Sequence, residues 1–262
     1  MKLALISDVH ANVEALQATL ADVGSQAVDR IVCLGDIVGY NTSPGECIAL
    51  LRAAGALCIA GNHDRAVCGA ITTETFSGTA ARAAAWTRAR LSADELAFLA
   101  GLPLRARVDD KLIVVHGAFH PPTGCEIVRL DTAEKLLLSF QALMADPSGA
   151  RIGAFGHTHV AAVHAFAAGR AVPEPQQNVV SLRDDVAYLI NPGSVGEPRG
   201  ADRRARYMVL DFARRTVVLR AVAYDWSVPF AKTRKAGLGP RLPFLPAPVR
   251  QALATARRRI AR

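Results

Sequence analysis

MKLALISDVHANVEALQATLADV, residues 1–23, decides how this chain is read. Residues 2–7 are a short apolar run ending on a polar cluster. Asn12 then stands where it can cap a segment with Val13, Leu16, Leu20 and Val23 at helical spacing. The unit recurs: residues 30–34 predict a strand, Gly35 and Asp36 a loop, residues 44–54 a helix, and residues 56–60 a third strand. Strand, loop and helix in series predict a sheet with helices on its faces.

Further along, residues 75–91 and 93–100 predict helices, the second opened by Ser92 with Glu95 three positions on, a capping box. Residues 104–108 and 112–116 predict paired strands around Asp109 and Asp110, and residues 132–145 a helix. The remaining runs, 152–155, 160–166, 179–182, 187–190, 206–212 and 216–223, are short and β-like, separated by turns such as Asn191-Pro192-Gly193. Strand-rich sequence after such a beginning predicts a second sheet packed on the first. The expected fold class is α/β: two packed mixed β-sheets flanked by helices, an α/β/β/α sandwich.

Five strand ends lead into polar clusters: Asp8-Val9-His10, Gly35-Asp36, Gly61-Asn62-His63-Asp64, His116-Gly117 and Gly156-His157-Thr158-His159. Ligands of open α/β sheets bind outside the carboxyl ends of the strands, so these clusters are expected to converge although they span about 150 residues. Imidazoles with carboxylates and an amide oxygen suit a pair of borderline divalent ions. An aspartate can bridge two cations, and a pair roughly 4 Å apart generates hydroxide and holds both oxygens of a displacement at phosphorus. Asp8-x-His10 and His157-x-His159 are expected to project alternate side chains from extended segments. The glycines before Asp36, Asn62 and His157 are expected to permit tight turns.

On these five blocks the chain resembles the calcineurin-like metallophosphoesterase superfamily, and especially its small bacterial and archaeal phosphodiesterase branch, over about residues 1–225. The resemblance implies one metal held by Asp8, His10, Asp36 and His159, and a second by Asp36, Asn62, His116 and His157. It implies that His63 acts on the substrate, protonating the leaving oxygen or steadying the phosphoryl charge. It implies two divalent ions, manganese favoured with nickel, cobalt, iron or zinc as alternatives, and a small phosphate ester or nucleotide as substrate. The expected reaction is phosphodiester hydrolysis by a metal-bridging hydroxide. Protein phosphatases of the superfamily follow the bridging aspartate with valine-aspartate-arginine-glycine, whereas this chain reads Asp36-Ile37-Val38-Gly39-Tyr40-Asn41. The alternatives are a phosphomonoesterase, a protein phosphatase, a dinucleoside-polyphosphate hydrolase, or a non-catalytic scaffold of the kind that has lost ligand residues; this chain keeps all seven. Arg65, His120, Arg129 and Arg199 are secondary candidates for substrate contact. The resemblance gives Asn191-Pro192-Gly193-Ser194 and Gly196-Glu197-Pro198-Arg199 as a turn supporting the site, and His164 is expected to be structural.

Composition bounds the rest. With 51% hydrophobic residues the 262-residue chain can bury a sizeable core, and no apolar run is long enough to span a membrane. Asp8 comes too early for a signal-peptide core, and five widely spaced cysteines are expected to be reduced; a cytoplasmic location follows. The net charge of +8 sits in the tail: residues 232–262 hold nine basic and no acidic residues, which leaves residues 1–231 at −1. A basic face on the folded domain is therefore not implied. Prolines and glycines cluster after residue 226, so residues 1–226 are expected to form the domain and residues 227–262 a basic extension. That extension is expected to be irregular apart from a short helix through Val249, Leu253, Ala256 and Ile260. Contact of this tail with nucleic acid or an anionic membrane is the less favoured reading against a solvated extension. Oligomeric state is left open.

Overall fold

The structure, a computed structural model, describes residues 1–174 and 177–239. In chain order the strands are β1 (Lys2–Ile6), β2 (Arg30–Cys33), β3 (Leu57–Cys58), β4 (Arg105–Val108), β5 (Leu112–Val115), β6 (Ile152–Ala154), β7 (Ala162–Ala167), β8 (Arg170–Pro173), β9 (Val179–Ser181), β10 (Tyr188–Asn191), β11 (Ala205–Asp211) and β12 (Thr216–Val222). The helices are α1 (Val13–Gly24), α2 (Pro44–Ala53), α3 (Asn62–Cys68), α4 (Gly78–Arg88), α5 (Ala93–Ala100), α6 (Ala133–Met144) and α7 (Ser227–Lys235). They build two six-stranded mixed sheets, β3-β2-β1-β11-β12-β9 and β4-β5-β6-β10-β7-β8. The predicted sandwich of two packed sheets with flanking helices is the observed fold.

Period-two alternation in fully buried strands makes three hydrophobic layers. Leu3 and Leu5 of β1 enter the core between the sheets, while Ala4 and Ile6 enter the core beneath α1 and α2. In the second sheet Leu112 and Val114 face the same inter-sheet core, and Ile113 and Val115 join Phe140 and Leu143 of α6 on the outer side. Burying side chains of this size contributes roughly 1.5–3 kcal/mol each before the entropy of ordering the chain is counted. Asn12 accepts from the Ala15 amide and opens α1, and Ser92 with Glu95 forms the predicted box at α5.

Several local expectations are corrected. α4 begins at Gly78, because the Ser77 hydroxyl caps it by accepting from the Ala80 amide. α3 and β8 were not foreseen. Residues 227–235, expected to be irregular, form α7; its Pro229 lies in the first turn, where a missing N–H breaks no helical bond. Against α1, Lys232 of α7 ion-pairs with Glu14, and the Thr233 hydroxyl donates to Asn41 Oδ1 at 3.0 Å. The expected helix through Val249 and Ile260 lies outside the described residues. All five cysteines are free thiols. No described helix is long and apolar enough to cross a membrane.

β3, β2 and β1 run parallel in one sheet, and β5, β6 and β10 in the other. Their carboxyl ends bring six loops to one place.

Candidate metal centre

Loops after β1 and β2 deliver Asp8 with His10, and Asp36; the first turn of α3, after β3, delivers Asn62 with His63; loops after β5 and β6 deliver His116, and His157 with His159. The centre thus straddles both sheets, and backbone bonds tie the loops together. Asp8 and His10 amides donate to the carbonyls of Gly35 and Asp36 at 3.1 and 2.9 Å, and the Gly156 amide donates to the His116 carbonyl at 2.8 Å. The two sheets are joined where the His157 amide donates to both Asp8 carboxylate oxygens at 3.2 Å. The sixth loop, after β10, braces the others as the turn reading expects. Asn191 Nδ2 donates to the Gly156 carbonyl at 2.7 Å, and the Ser194 hydroxyl donates to the Asp8 carbonyl at 2.8 Å.

Asp8, His10, Asp36, His157 and His159 all have left-handed backbone, with φ of 54°, 50°, 52°, 62° and 61°. They are not on extended segments, contrary to the alternation expected. A non-glycine residue held there costs about 1–3 kcal/mol and persists where surrounding contacts impose it; such strain gathers at functional sites. Five strained residues in one cluster are aimed rather than merely packed. The glycines also work differently from expectation. Gly35 has φ of 92°, but Gly61 and Gly156 do not need the left-handed region. They are there for space: a Cβ on Gly61 would lie 2.1 Å from Asp36 Oδ1, and one on Gly156 2.0 Å from Ser7 Oγ and 2.8 Å from Asp8 Oδ2.

The ring nitrogens carry the argument. Nδ1 of His10, His116 and His159 faces the carbonyl oxygens of Val38, Leu34 and Glu197 at 3.2, 2.8 and 2.7 Å. A carbonyl only accepts, so each Nδ1 bears hydrogen and each neutral ring turns an Nε2 lone pair inward. His10 Nε2 and His159 Nε2 meet at 3.1 Å, with Asp8 Oδ1 3.2 Å from the latter. Asp36 Oδ2 lies 3.6 Å from His10 Nε2 and 3.3 Å from His116 Nε2, and Asn62 Oδ1 is 3.1 Å from the same His116 atom. Lone pairs and carboxylates this close repel unless positive charge sits among them. Two ligand groups, Asp8/His10/His159 and Asp36/His116/His157, each draw together within 4.8 Å, and Asp36 also groups with His10 and His63. Mixed imidazole, carboxylate and amide donors around a shared aspartate fit a pair of divalent ions.

The titration behaviour follows the same pull. Burial opposes charge on Asp8 and Asp36, yet neighbouring histidines, His159 for Asp8 and His116 for Asp36, hold both carboxyls below their usual range. Burial likewise works against His116, but Asp36 drives it up to about 10. His10 is pushed down by burial while the facing His159 is raised, against its own burial, by Asp8. Burial and the adjacent His116 bring His157 to about 4. The centre demands positive charge, from protons or from metal.

Around it, the His63 ring lies against His10, Tyr40 and Phe76 at centroid distances of 4.9, 4.7 and 4.9 Å. Its Nδ1 is buried and has no hydrogen-bond partner among the described residues, and burial lowers its pKa. Three contributors escaped the sequence reading. Tyr40, held at φ of 57°, packs edge-on to His10. Phe76 closes the far side of His63. Asp64 accepts from the amides of Gly61 and Val38 at 2.9 and 3.1 Å, locking the Asp36 and Asn62 loops together; burial and Asp36 raise it to about 7. An acidic residue at the third helical position was the visible signal for Asp64.

The secondary candidates divide. Arg65 forms an ion pair with the buried Glu126. His120 is exposed and faces a separate pocket with Leu104 and Phe119. Arg129 pairs loosely with Asp131 at 3.6 Å but lies near enough to depress His157. Arg199 stands beside Tyr40 and His159 at the rim of the centre.

Comparison with known proteins agrees with this geometry. Residues 1–215 match the model of the calcineurin-like phosphoesterase superfamily domain. An uncharacterised protein of Methanocaldococcus jannaschii is 32% identical over 236 residues, covering 89% of this chain and 92% of that protein. The crystal structure of a metallophosphoesterase from Sphaerobacter thermophilus superposes with a TM-score of 0.76 at 34% identity, covering 90% of this chain and 95% of the other. A hypothetical protein of Pyrococcus horikoshii OT3 shares the fold, with a TM-score of 0.73 at 16% identity over 90% and 94% of the two chains.

Proposed function

The chain belongs to the calcineurin-like phosphoesterase superfamily, and on that premise we propose that it is a two-metal phosphodiesterase. Asp8, His10, Asp36 and His159 would hold one divalent ion, and Asp36, Asn62, His116 and His157 the other. The observation that carries this reading is the inward convergence of imidazole Nε2 atoms upon Asp8 and Asp36, with their Nδ1 atoms fixed by backbone carbonyls. Divalent ions in such a centre supply Lewis acidity and a water acidic enough to be deprotonated near neutral pH.

The chain's own residues supply orientation and hydrogen bonds. His63 would meet the leaving oxygen, and its ring contact with His10 supports that role. Because burial favours its neutral form, it acts as a neutral N–H donor to developing charge more readily than as an imidazolium acid. Tyr40 and Phe76 restrain its ring, while Asp64 fixes the backbone on which it rides. Arg199 at the rim offers a guanidinium to a phosphoryl oxygen. After Asp36 come fully buried Ile37 and Val38, so no cationic clamp for a dianionic monoester follows the bridging aspartate. That favours the singly charged diester. Manganese is the favoured ion, with nickel, cobalt, iron or zinc as alternatives, and the cytoplasm the favoured location.

The test is hydrolysis of an aryl phosphodiester and the matching monoester by metal-stripped protein, with manganese, nickel, cobalt, zinc or magnesium restored singly. Metal-restored cleavage favouring the diester is expected. Preference for the monoester would replace this reading with a phosphatase, and no turnover in protein that has bound two ions would remove the enzymatic reading.

A further inference from the structure

The loop from Asp36 to Asn41 folds back over the metal centre. At Gly39, with φ of 93°, it passes so close to His63 that a Cβ would lie 2.3 Å from Nδ1 of that ring. Tyr40 follows and is itself left-handed at φ of 57°, a conformation that a bulky residue keeps only where its surroundings impose it. The imposing contacts lie on both sides. The Ala11 amide donates to the Ile37 carbonyl at 2.9 Å, and the backbone and side-chain amides of Asn41 both donate to the His10 carbonyl, at 3.2 and 3.0 Å. Asn41 Oδ1 in turn accepts from Thr233 of α7. The Tyr40 ring is thereby set edge-on to His10, 4.6 Å between centroids, and tilted 40° to His63 at 4.7 Å.

Ring packing alone makes no use of the hydroxyl. Among the described residues its hydrogen-bonding neighbour is Arg199, which also stands near His159. A guanidinium has donors and no acceptor, so it meets the lone pairs of the phenol oxygen and leaves the O–H hydrogen to another group. The half-buried phenol therefore offers a donor at the rim of a centre whose expected substrate carries acceptor oxygens. Resting on the phosphodiesterase reading, we infer that Tyr40 is a substrate-binding catalytic residue: its hydroxyl donates to a non-bridging oxygen of the phosphoryl group, beside Arg199. A phenol is protonated at neutral pH, so the donor is present wherever the enzyme would work. Hydrogen bonds to an ionised acceptor are also about twice as strong as neutral ones. One neutral donor and one guanidinium match the single negative charge of a diester. The strained turn at Tyr40 then has a purpose: it fixes this donor against the histidines of the centre.

The experiment compares the wild type with Tyr40→Phe, which keeps the ring and removes only the hydroxyl. In manganese-loaded protein, kcat/KM for methyl p-nitrophenyl phosphate should fall roughly ten- to 100-fold, the worth of a hydrogen bond to a charged acceptor, with two ions still bound. The two diastereomers of methyl p-nitrophenyl phosphorothioate then tell contact from packing, because sulfur is a weak acceptor. The diastereomer that turns sulfur toward Tyr40 should lose less than about threefold on substitution, while the other loses the full factor. A ring that only packs against His63 would lose equally with both. Should no diester be cleaved, inorganic phosphate titrated calorimetrically into the manganese-loaded proteins decides. Binding weaker by about fivefold or more in Tyr40→Phe would keep the Tyr40 contact and remove the phosphodiesterase reading, and equal binding would overturn the contact. Where diesters are cleaved, wild-type kinetics in Tyr40→Phe, or equal losses with both diastereomers, overturn it.

Discussion

Replacing Gly156 by alanine tests whether the loop after β6 is packed to its limit against the loop after β1. The added Cβ would lie 2.0 Å from Ser7 Oγ and 2.8 Å from Asp8 Oδ2, and contacts under 3.0 Å are essentially never seen at a real Cβ. Relief therefore requires about 1 Å of movement, either of Gly156 with its neighbour His157 or of Ser7 with its neighbour Asp8. A displacement of that size at a reacting centre costs on the order of 100-fold. Gly156→Ala should accordingly lower kcat/KM for a manganese-supported aryl diester by about that factor, with urea unfolding still cooperative. The structure also names the rescue. Ser7 Oγ is buried and makes no hydrogen bond among the described residues, so Ser7→Ala removes the 2.0 Å clash at little cost. The double variant should regain a large part of the lost activity, leaving the milder approaches to Asp8 Oδ2 at 2.8 Å and to the Cβ of residue 7 at 3.1 Å. Wild-type activity in Gly156→Ala, or no recovery on adding Ser7→Ala, would refute this packing argument.

Other expectations concern separate parts of the molecule. His63→Ala should lower turnover by about 10²- to 10⁴-fold while metal analysis still finds two ions; near-normal turnover would end its proposed role. Asp22 accepts from Tyr207 Oη at 2.6 Å and from Arg220 at 2.8 and 3.1 Å, tying α1 to β11 and β12. Asp22→Asn should cost about 1–2 kcal/mol in urea unfolding, with diester cleavage intact, because the partly exposed pair is screened. The Arg220 hydrogen bond holds the Asp22 carboxyl below its usual value, so its contribution is present above about pH 4 and fades as pH falls through the folded-state value; the Asn variant should lack that acid limb. A chain ending after Gly239 should keep both stability and cleavage. One ending at Trp226 should unfold at lower urea, since it loses Lys232 to Glu14 and Thr233 to Asn41; equal midpoints would show that α7 is dispensable.

What the sequence revealed and what it hid have physical reasons. The candidate metal-binding residues are legible because metal chemistry restricts their types, and strand ends because the apolar runs before them stop abruptly. The conformations of Asp8, His10, His157 and His159 were hidden: left-handed backbone at a non-glycine residue is imposed by tertiary contacts such as the Asp8 carboxylate on the His157 amide. Gly61 and Gly156 look like turn glycines in sequence, yet they are needed because carboxylates pass within a methyl's reach. The ion pair of Arg65 was hidden because its partner Glu126 lies 61 residues away. α3 is seven residues inside the Gly-Asn-His-Asp block, too short to show periodicity. α7 was hidden by Pro229, which reads as a breaker unless its place in the first turn is known.

The central claim is that two ions share Asp36. Anomalous diffraction from manganese-loaded crystals tests it most directly: two peaks about 3.5–4 Å apart are predicted, one among Asp8, His10 and His159, the other among Asn62, His116 and His157, with Asp36 between them. A single peak, or metal bound away from Asp36, would contradict it.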